Sequence, residues 1–242
     1  MLNNVEAYFE IIQTDEELKN NLLRIERLGR ISYQSYVNPI TPKTAEKFIR
    51  MIMKRGHESV LEHSVLTVIF YNISRGTTHE IVRHRLAGIT QESTRYVDYS
   101  DLTKTPDYDI TFISPPGING DQKIELDDGR CLSLREMFRE EERFYRALRK
   151  NGCSPEKARQ ILPIGIASEI GFTANFREWR HIFELRTKFD SKRKKGANWE
   201  IRKVMADLLK ELKVIIPVIF EDFREAGQDD DGIPFYEKIK SG

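Results

Sequence analysis

Two cysteines in 242 residues, Cys131 and Cys153, are too few to staple a fold, and their spacing matches no metal-ligand pattern. A disulfide framework is therefore excluded, and a reducing, cytoplasmic compartment is the expectation. No run of about 18 apolar residues occurs, so no segment reads as a membrane span. The opening MLNNVEAYFEIIQTDEELKNN lacks the basic-then-apolar pattern of a signal peptide. An excess of one charge is missing too: 39 Lys and Arg against 38 Asp and Glu leave a formal net charge of +1. A general nucleic-acid binder carries a larger positive surplus, so neither nucleic acid nor membrane is expected as a partner. There is no internal repeat and no low-complexity linker. With 39% hydrophobic and 32% charged residues, the chain fits a soluble globular protein of one large domain or two small ones.

Against that balanced background, cationic side chains crowd into SRGTTHEIVRHRLAGITQESTRYVDY, Ser74 to Tyr99. The stretch holds Arg75, Arg83, Arg85, Arg95, His79 and His84. Thr77 with Glu80 has the spacing of a capping box, so a helix is expected to begin there. Gly88 is placed to end it in a left-handed conformation. Thr78, Val82 and Leu86 make a packing stripe, and Arg83 and Arg85 fall roughly 160° apart. Guanidiniums so placed suit two anionic ligands, or one ligand and a carboxylate partner. Their fork geometry fits phosphate. ITQESTRYV then alternates and predicts an extended segment.

Along the rest of the chain, Val5 to Ile12 predicts a strand, and Thr14 caps an acid-led helix. A second helix spans Pro42 to Lys54 and closes at Gly56. Gly56 to His63 reads as a polar turn; its H-E-x-x-x-E-H spacing is not that of a helical metal site, and no metal is expected. Ser64 to Ile73 and Asp107 to Ile113 predict strands, and residues 117–131 are turn-rich. Leu132 to Lys150 is an amphipathic helix with Met137, Phe138, Phe144, Tyr145 and Leu148 inward. Ser154 caps a helix led by Pro155. Ile164 to Phe176 predicts a strand of exposed-edge character. A helix capped by Asn175 aligns Arg177, His181 and Glu184 on one side, with Trp179, Ile182, Phe183 and Arg186 beside them. The basic run to Gly196 reads as a solvated loop. Asn198 caps a final helix with Ile201, Val204, Met205, Leu208 and Leu212 inward, broken at Pro217. Gln228 to Asp231 is expected to be exposed.

Four strings together carry a resemblance. Arg83-His84-Arg85 is followed, after seven residues, by Ser93-Thr94-Arg95-Tyr96. Gly56-His57-Glu58-Ser59 leads to Glu62-His63. Arg159 precedes Leu162-Pro163, and Asn175-Phe176-Arg177 precedes Leu185-Arg186. In this order and spacing they resemble the flavin-dependent thymidylate synthases (ThyX), over roughly Gly56 to Tyr99 and Ala158 to Ile201.

The resemblance implies an α+β fold with a central antiparallel sheet flanked by helices, as a single domain over 1–242. It implies reductive methylation of dUMP to dTMP. The carbon comes from 5,10-methylenetetrahydrofolate, and NADPH supplies electrons through tightly bound FAD. It places Ser59, Arg83, His84, Arg85, Gln91, Asn175, Phe176, Arg177 and His181 around FAD, with His57 lining the site. It places Glu80, Arg83, Gln91, Glu92, Ser93, Thr94, Arg95, Arg159 and Arg186 around dUMP. It implies a homotetramer with sites shared between subunits. Uracil C5 is a weak nucleophile, and no cysteine lies in any motif to activate it by attack at C6. By resemblance the Arg186 guanidinium instead stabilises an enolate-like pyrimidine.

Three positions depart from the family. Gly88 stands where a small hydroxyl is common, Gln91 where many relatives have glutamate, and His181 where some have asparagine. The basic run lacks the flavin-contacting histidine of some relatives. Two other readings are a nucleotide- or RNA-binding module built on the arginines, and a flavoprotein of related fold with another acceptor.

Overall fold

The structure, a computed structural model, describes residues 6–101 and 110–239. Its elements run β1 (Tyr8–Ile11), α1 (Asp15–Tyr33), α2 (Pro42–Lys54), a 3-10 turn (Glu58–His63), β2 (Val65–Ser74), α3 (Arg75–Ile81), β3 (Ala87–Gln91), β4 (Lys123–Glu125), β5 (Cys131–Ser133) and α4 (Leu134–Lys150). They continue with α5 (Pro155–Ala158), a second 3-10 turn (Arg159–Ile161), β6 (Ala167–Asn175), α6 (Phe176–Arg186), β7 (Phe189–Asp190), β8 (Lys195–Gly196), α7 (Trp199–Ile215), α8 (Pro217–Phe220), β9 (Phe223–Gln228) and β10 (Pro234–Lys238). The fold is mixed α+β, as expected, with an antiparallel sheet and helices. Four strands join in the order β1-β2-β6-β3, and β4-β5, β7-β8 and β9-β10 form antiparallel hairpins.

Several helix starts follow from local chemistry. Thr14 accepts from Glu17 N while the Glu17 carboxylate accepts from Thr14 N, closing the capping box of α1. Thr41 and Thr44 do the same for α2, and Gly56, at φ +72°, turns the chain out of it. Ser133 and Glu136 box α4. Asn175 Oδ1 accepts from Glu178 N at 2.8 Å and starts α6.

The chain divides into two compact units, residues 1–8, 70–82 and 90–170, and residues 9–69, 83–89 and 171–242. The core of the first contains Tyr99, Ile110, Phe112, Phe138, Tyr145, Ala158 and Ile166, with Phe112 stacked on Phe138. In the second, α6 packs on the 3-10 turn Glu58–His63 and on α7. Trp179, Phe183, Phe220 and Phe223 interlock there, and Trp179 Nε1 donates to the Leu66 carbonyl. Every predicted inward residue of α7 is buried.

Several expectations are corrected. The helix expected from Thr77 to Gly88 is Arg75–Ile81, because Ser74, extended at the end of β2, is an earlier cap: its Oγ accepts from Thr77 N at 3.0 Å. Gly88 lies in β3 without a positive φ, so it stops nothing. Arg83 and Arg85 therefore lie beyond the helix, and their helical separation does not apply. Leu86 is 73% exposed and belongs to no packing stripe. Within the polar turn read over Gly56 to His63, Glu58–His63 takes 3-10 form. β6 has neighbours on both sides, β2 and β3, and is not an edge. Met137 and Phe144 of α4 are exposed. The helix led by Pro155 lasts one turn before tightening to 3-10. Part of the basic loop pairs as β7-β8. The acidic stretch Gln228–Asp231 belongs to the end of β9 and the hairpin turn, and Asp229 is drawn in to pair with buried Arg202. Val5 and residues 107–109 of two predicted strands lie outside the described residues; Phe112 forms an antiparallel bridge to Ile166.

Candidate functional site

The candidate residues fall into two groups, one in each unit. In the second unit, α6 presents Arg177, His181 and Glu184 along its exposed side, as its periodicity requires. With Asn175, Glu178 and Arg180 they line a cleft of about 680 Å³ that Glu58, Glu62, Leu86 and Lys238 complete. Asn175 uses Oδ1 as the helix cap, which leaves its amide hydrogens as donors at the cleft. Arg177 pairs with Glu62. Ser59 is exposed on the 3-10 turn, and exposed His57 bonds Tyr33 Oη through Nδ1 at 2.8 Å. Phe176 is fully buried and its N–H donates to Ser64 O, so its side chain offers a ligand nothing; it anchors α6 instead.

Behind this cleft sits buried His84. Arg186 Nε donates to its Nε2 at 3.0 Å, and its Nδ1 lies 3.5 Å from Glu178 Oε1. The His181 ring meets it edge-on at 6.3 Å. Burial, then the Arg186 charge, then His181 lower the His84 pKa to about 4. The imidazole is therefore neutral at pH 7. A guanidinium can only donate, so Nε2 carries the lone pair and Nδ1 the proton, directed at Glu178. On either side, Arg83 and Arg85 are exposed, and no carboxylate among the described residues pairs with them.

The first unit gathers most of the residues expected around the nucleotide. Gln91 Nε2 donates to Thr78 Oγ1 at 2.7 Å, and that hydroxyl donates to the Arg75 carbonyl at 2.9 Å. Glu92 is fixed three ways: its N–H donates to Glu169 O, its carbonyl accepts from Arg75 Nη1, and its carboxylate accepts from Tyr99 Oη at 2.7 Å. Burial, with that carboxylate beside it, pushes the Tyr99 phenol far above its ordinary range, so it stays a donor. Ser93 opens a turn in which its carbonyl accepts from the N–H groups of Tyr96 and Val97. Thr94 is buried and accepts from Arg159 Nη1 at 3.2 Å, which brings Arg159 to the Ser93 turn across 65 residues. Arg95 is exposed, stacks over Tyr96 and lies 3.4 Å from Glu156. Glu80 is half-buried on α3.

The sequence reading missed Glu178, Arg149 and Asp98. Glu178 follows its cap at capping-box spacing, and nothing local reveals that its carboxylate turns to His84. Arg149 clasps Asp98 with two nitrogens and also reaches the Cys153 carbonyl, which braces the loop after Ser93 against α4. Among the described residues no three His, Cys, Asp or Glu side chains cluster to hold a metal, and no helix is long and apolar enough to cross a membrane.

Comparison with known proteins bears on this arrangement. The family described as "Thymidylate synthase complementing protein" matches residues 13–218. A flavin-dependent thymidylate synthase of Mycobacterium sp. (strain JLS) is 33% identical over 214 residues, covering 82% of this chain and 78% of its own. That of Mycobacterium avium (strain 104) is 32% identical over 213 residues, covering 84% and 79%. Among solved structures, the UMP/dUMP methylase PolB from Streptomyces cacaoi bound with 5-Br dUMP is similar, with a TM-score of 0.67, 20% identity, and coverage of 90% of this chain and 94% of that one. The chain belongs to the thymidylate synthase complementing protein family, the flavin-dependent thymidylate synthases.

Proposed function

We propose that the protein is a methyltransferase of the single-domain ThyX type that converts dUMP to dTMP, with carbon from 5,10-methylenetetrahydrofolate, electrons from NADPH and a tightly bound FAD. A methylene group at the formaldehyde level must gain two electrons to leave as methyl, so a reductant is obligatory; NADPH becomes NADP+ and the folate leaves as tetrahydrofolate. Relatives named flavin-dependent thymidylate synthase and the dUMP-type methylase fold support this reading.

The observation that carries it is the Arg186 guanidinium seated on a neutral, buried imidazole. A fixed cation beside a pyrimidine edge stabilises negative charge on the ring and makes C5 nucleophilic. Neither cysteine stands in either candidate group: Cys131 is exposed on β5 and Cys153 follows α4. A thiolate route would have no nucleophile there.

The donor set fits FAD. Exposed Arg85 offers a guanidinium for a diphosphate, Arg177 offers the nitrogens that its pair with Glu62 leaves over, the Asn175 amide offers donors for a heterocycle, and Leu86 gives the cleft an apolar wall. Ser59, Arg83 and His181 would complete the holding set, with His84 expected beside them but its ring nitrogens turned to Arg186 and Glu178. When bound, the flavin would supply the redox chemistry. The chain's residues would bind and orient: Gln91, Ser93, Arg95 and Arg159 would grip the nucleotide, with Glu80, Glu92 and Thr94 shaping the site. Exposed Arg83 and Arg85, with no acid partner among the described residues, support a homotetramer with shared sites. The free cysteines support a cytoplasmic setting.

Titrating dUMP into purified, FAD-loaded protein tests this reading. A saturable change in the flavin absorbance bands supports it; protein that takes up no FAD or ignores dUMP refutes it.

A further inference from the structure

Glu178 is an unexpected residue to find buried. It is 8% exposed on α6, and its carboxylate lies 3.5 Å from His84 Nδ1. Its position three residues after the Asn175 cap would suit a capping-box acid, whose carboxylate reaches back to the cap N–H. Here only half of that box forms: Asn175 accepts from Glu178 N, while the acid side chain points to the histidine. A buried carboxylate is costly unless donors satisfy it, and the protonated ring nitrogen of His84, 3.5 Å away, is a donor that faces it.

The consequence passes to Arg186. Imidazole has two neutral tautomers, and only the one protonated at Nδ1 can accept from Arg186 Nε. The other would set two N–H groups against each other. Because the guanidinium is planar and rigid, fixing Nε fixes the direction of its other edge. His181 meets the same ring edge-on but is exposed, so it does not choose the tautomer.

We propose that Glu178 is a positioning residue: by accepting the Nδ1 proton of His84 it keeps Nε2 as the acceptor that orients Arg186. This rests on the reading that Arg186 activates the pyrimidine. Its geometric half, the tautomer, is measurable without substrate.

The experiment is ¹⁵N NMR of histidine-labelled, flavin-loaded full-length protein, with Glu178→Leu, Glu178→Gln and Arg186→Ala compared for dUMP affinity and turnover. Leucine keeps the packing volume and removes the acceptor; glutamine keeps an acceptor oxygen. The wild type should show His84 protonated at Nδ1. Glu178→Leu should lose that pure tautomer and about 10- to 100-fold in kcat, with dUMP affinity within about threefold, and Glu178→Gln should recover most of both. A wild-type His84 protonated at Nε2 overturns the proposal even if no variant folds. So does Glu178→Leu that keeps the wild-type tautomer or turnover, or glutamine that rescues no better than leucine. If the tautomers behave as stated but Arg186→Ala turns over normally, the activation reading fails and the positioning geometry stands.

Discussion

Arg186 Nε donates to His84 Nε2 at 3.0 Å, across 102 residues of sequence. That bond joins the segment before β3 to the end of α6, two of the four strings by which the sequence resembles its family. It also requires the histidine to be neutral, which its burial ensures.

Stability should therefore depend on His84 in acid. Its folded pKa, about 4, is below the ordinary 6.5, so the unfolded chain binds the extra proton first as pH falls. The folded state loses stability from about pH 6.5 downward, and the loss levels off below pH 4. Between pH 7 and 5 the cost is about 2 kcal/mol. Urea unfolding of wild type and His84→Gln at both pH values should show a smaller pH-dependent loss in the variant by about that amount. Equal losses would contradict the assignment.

Gln91 stands where relatives often carry glutamate, and its amide explains the exchange. The Thr78 hydroxyl already directs its proton at the Arg75 carbonyl, so its partner must be a donor. Gln91→Glu offers only an acceptor and forces Thr78 to abandon one bond. The expected loss is about 1 kcal/mol at pH 7, read by chemical denaturation. Thr78→Val in the same background should remove most of the difference between Gln and Glu.

The Asp98–Arg149 clasp holds the loop that follows Ser93. The paired guanidinium, aided by Ser100, holds the Asp98 carboxyl far below its ordinary 3.8. Its stabilisation is complete above about pH 4 and disappears as pH falls toward the folded value. Asp98→Asn should cost about 1.5–3 kcal/mol at pH 7. The gap between variant and wild type should narrow steadily below pH 4 in thermal melts.

Gly88 should tolerate a small hydroxyl of the kind that the family resemblance leads one to expect there. Its φ is not positive, and a Cβ would meet nothing closer than Thr173 Cβ at 3.9 Å. Glycine weakens a strand, so Gly88→Ser should leave the melting temperature unchanged or slightly raised. A large loss would show that the backbone does need glycine there.

Legibility in the sequence followed the range of the forces involved. Caps are local, and Thr14, Thr41 and Asn175 start helices where their side chains predict. Buried stripes are periodic, and α7 was readable for that reason. Where two caps compete, as Ser74 and Thr77 do, the decision depends on where β2 ends, and spacing alone chose wrongly. The interior place of β6 depends on which strands pair with it, which no local pattern encodes. At the candidate site, the residue types were legible because guanidiniums and imidazoles stand out. Their partners were not: Glu178 for His84, Thr94 for Arg159 and Asp98 for Arg149 are joined through space.

The central claim is that this chain methylates dUMP with flavin-borne electrons and an arginine, rather than a thiolate, as activator. The most direct measurement is dTMP formed by purified protein supplied with FAD, dUMP, 5,10-methylenetetrahydrofolate and NADPH, each omitted in turn, alongside Arg186→Ala and the double variant Cys131→Ser/Cys153→Ser. The account predicts dTMP only from the complete mixture, a fall of about 10²- to 10³-fold for Arg186→Ala, and turnover within about twofold of wild type for the cysteine-free protein. No dTMP from the complete mixture, or a cysteine-free protein that is inactive while Arg186→Ala is not, would contradict it.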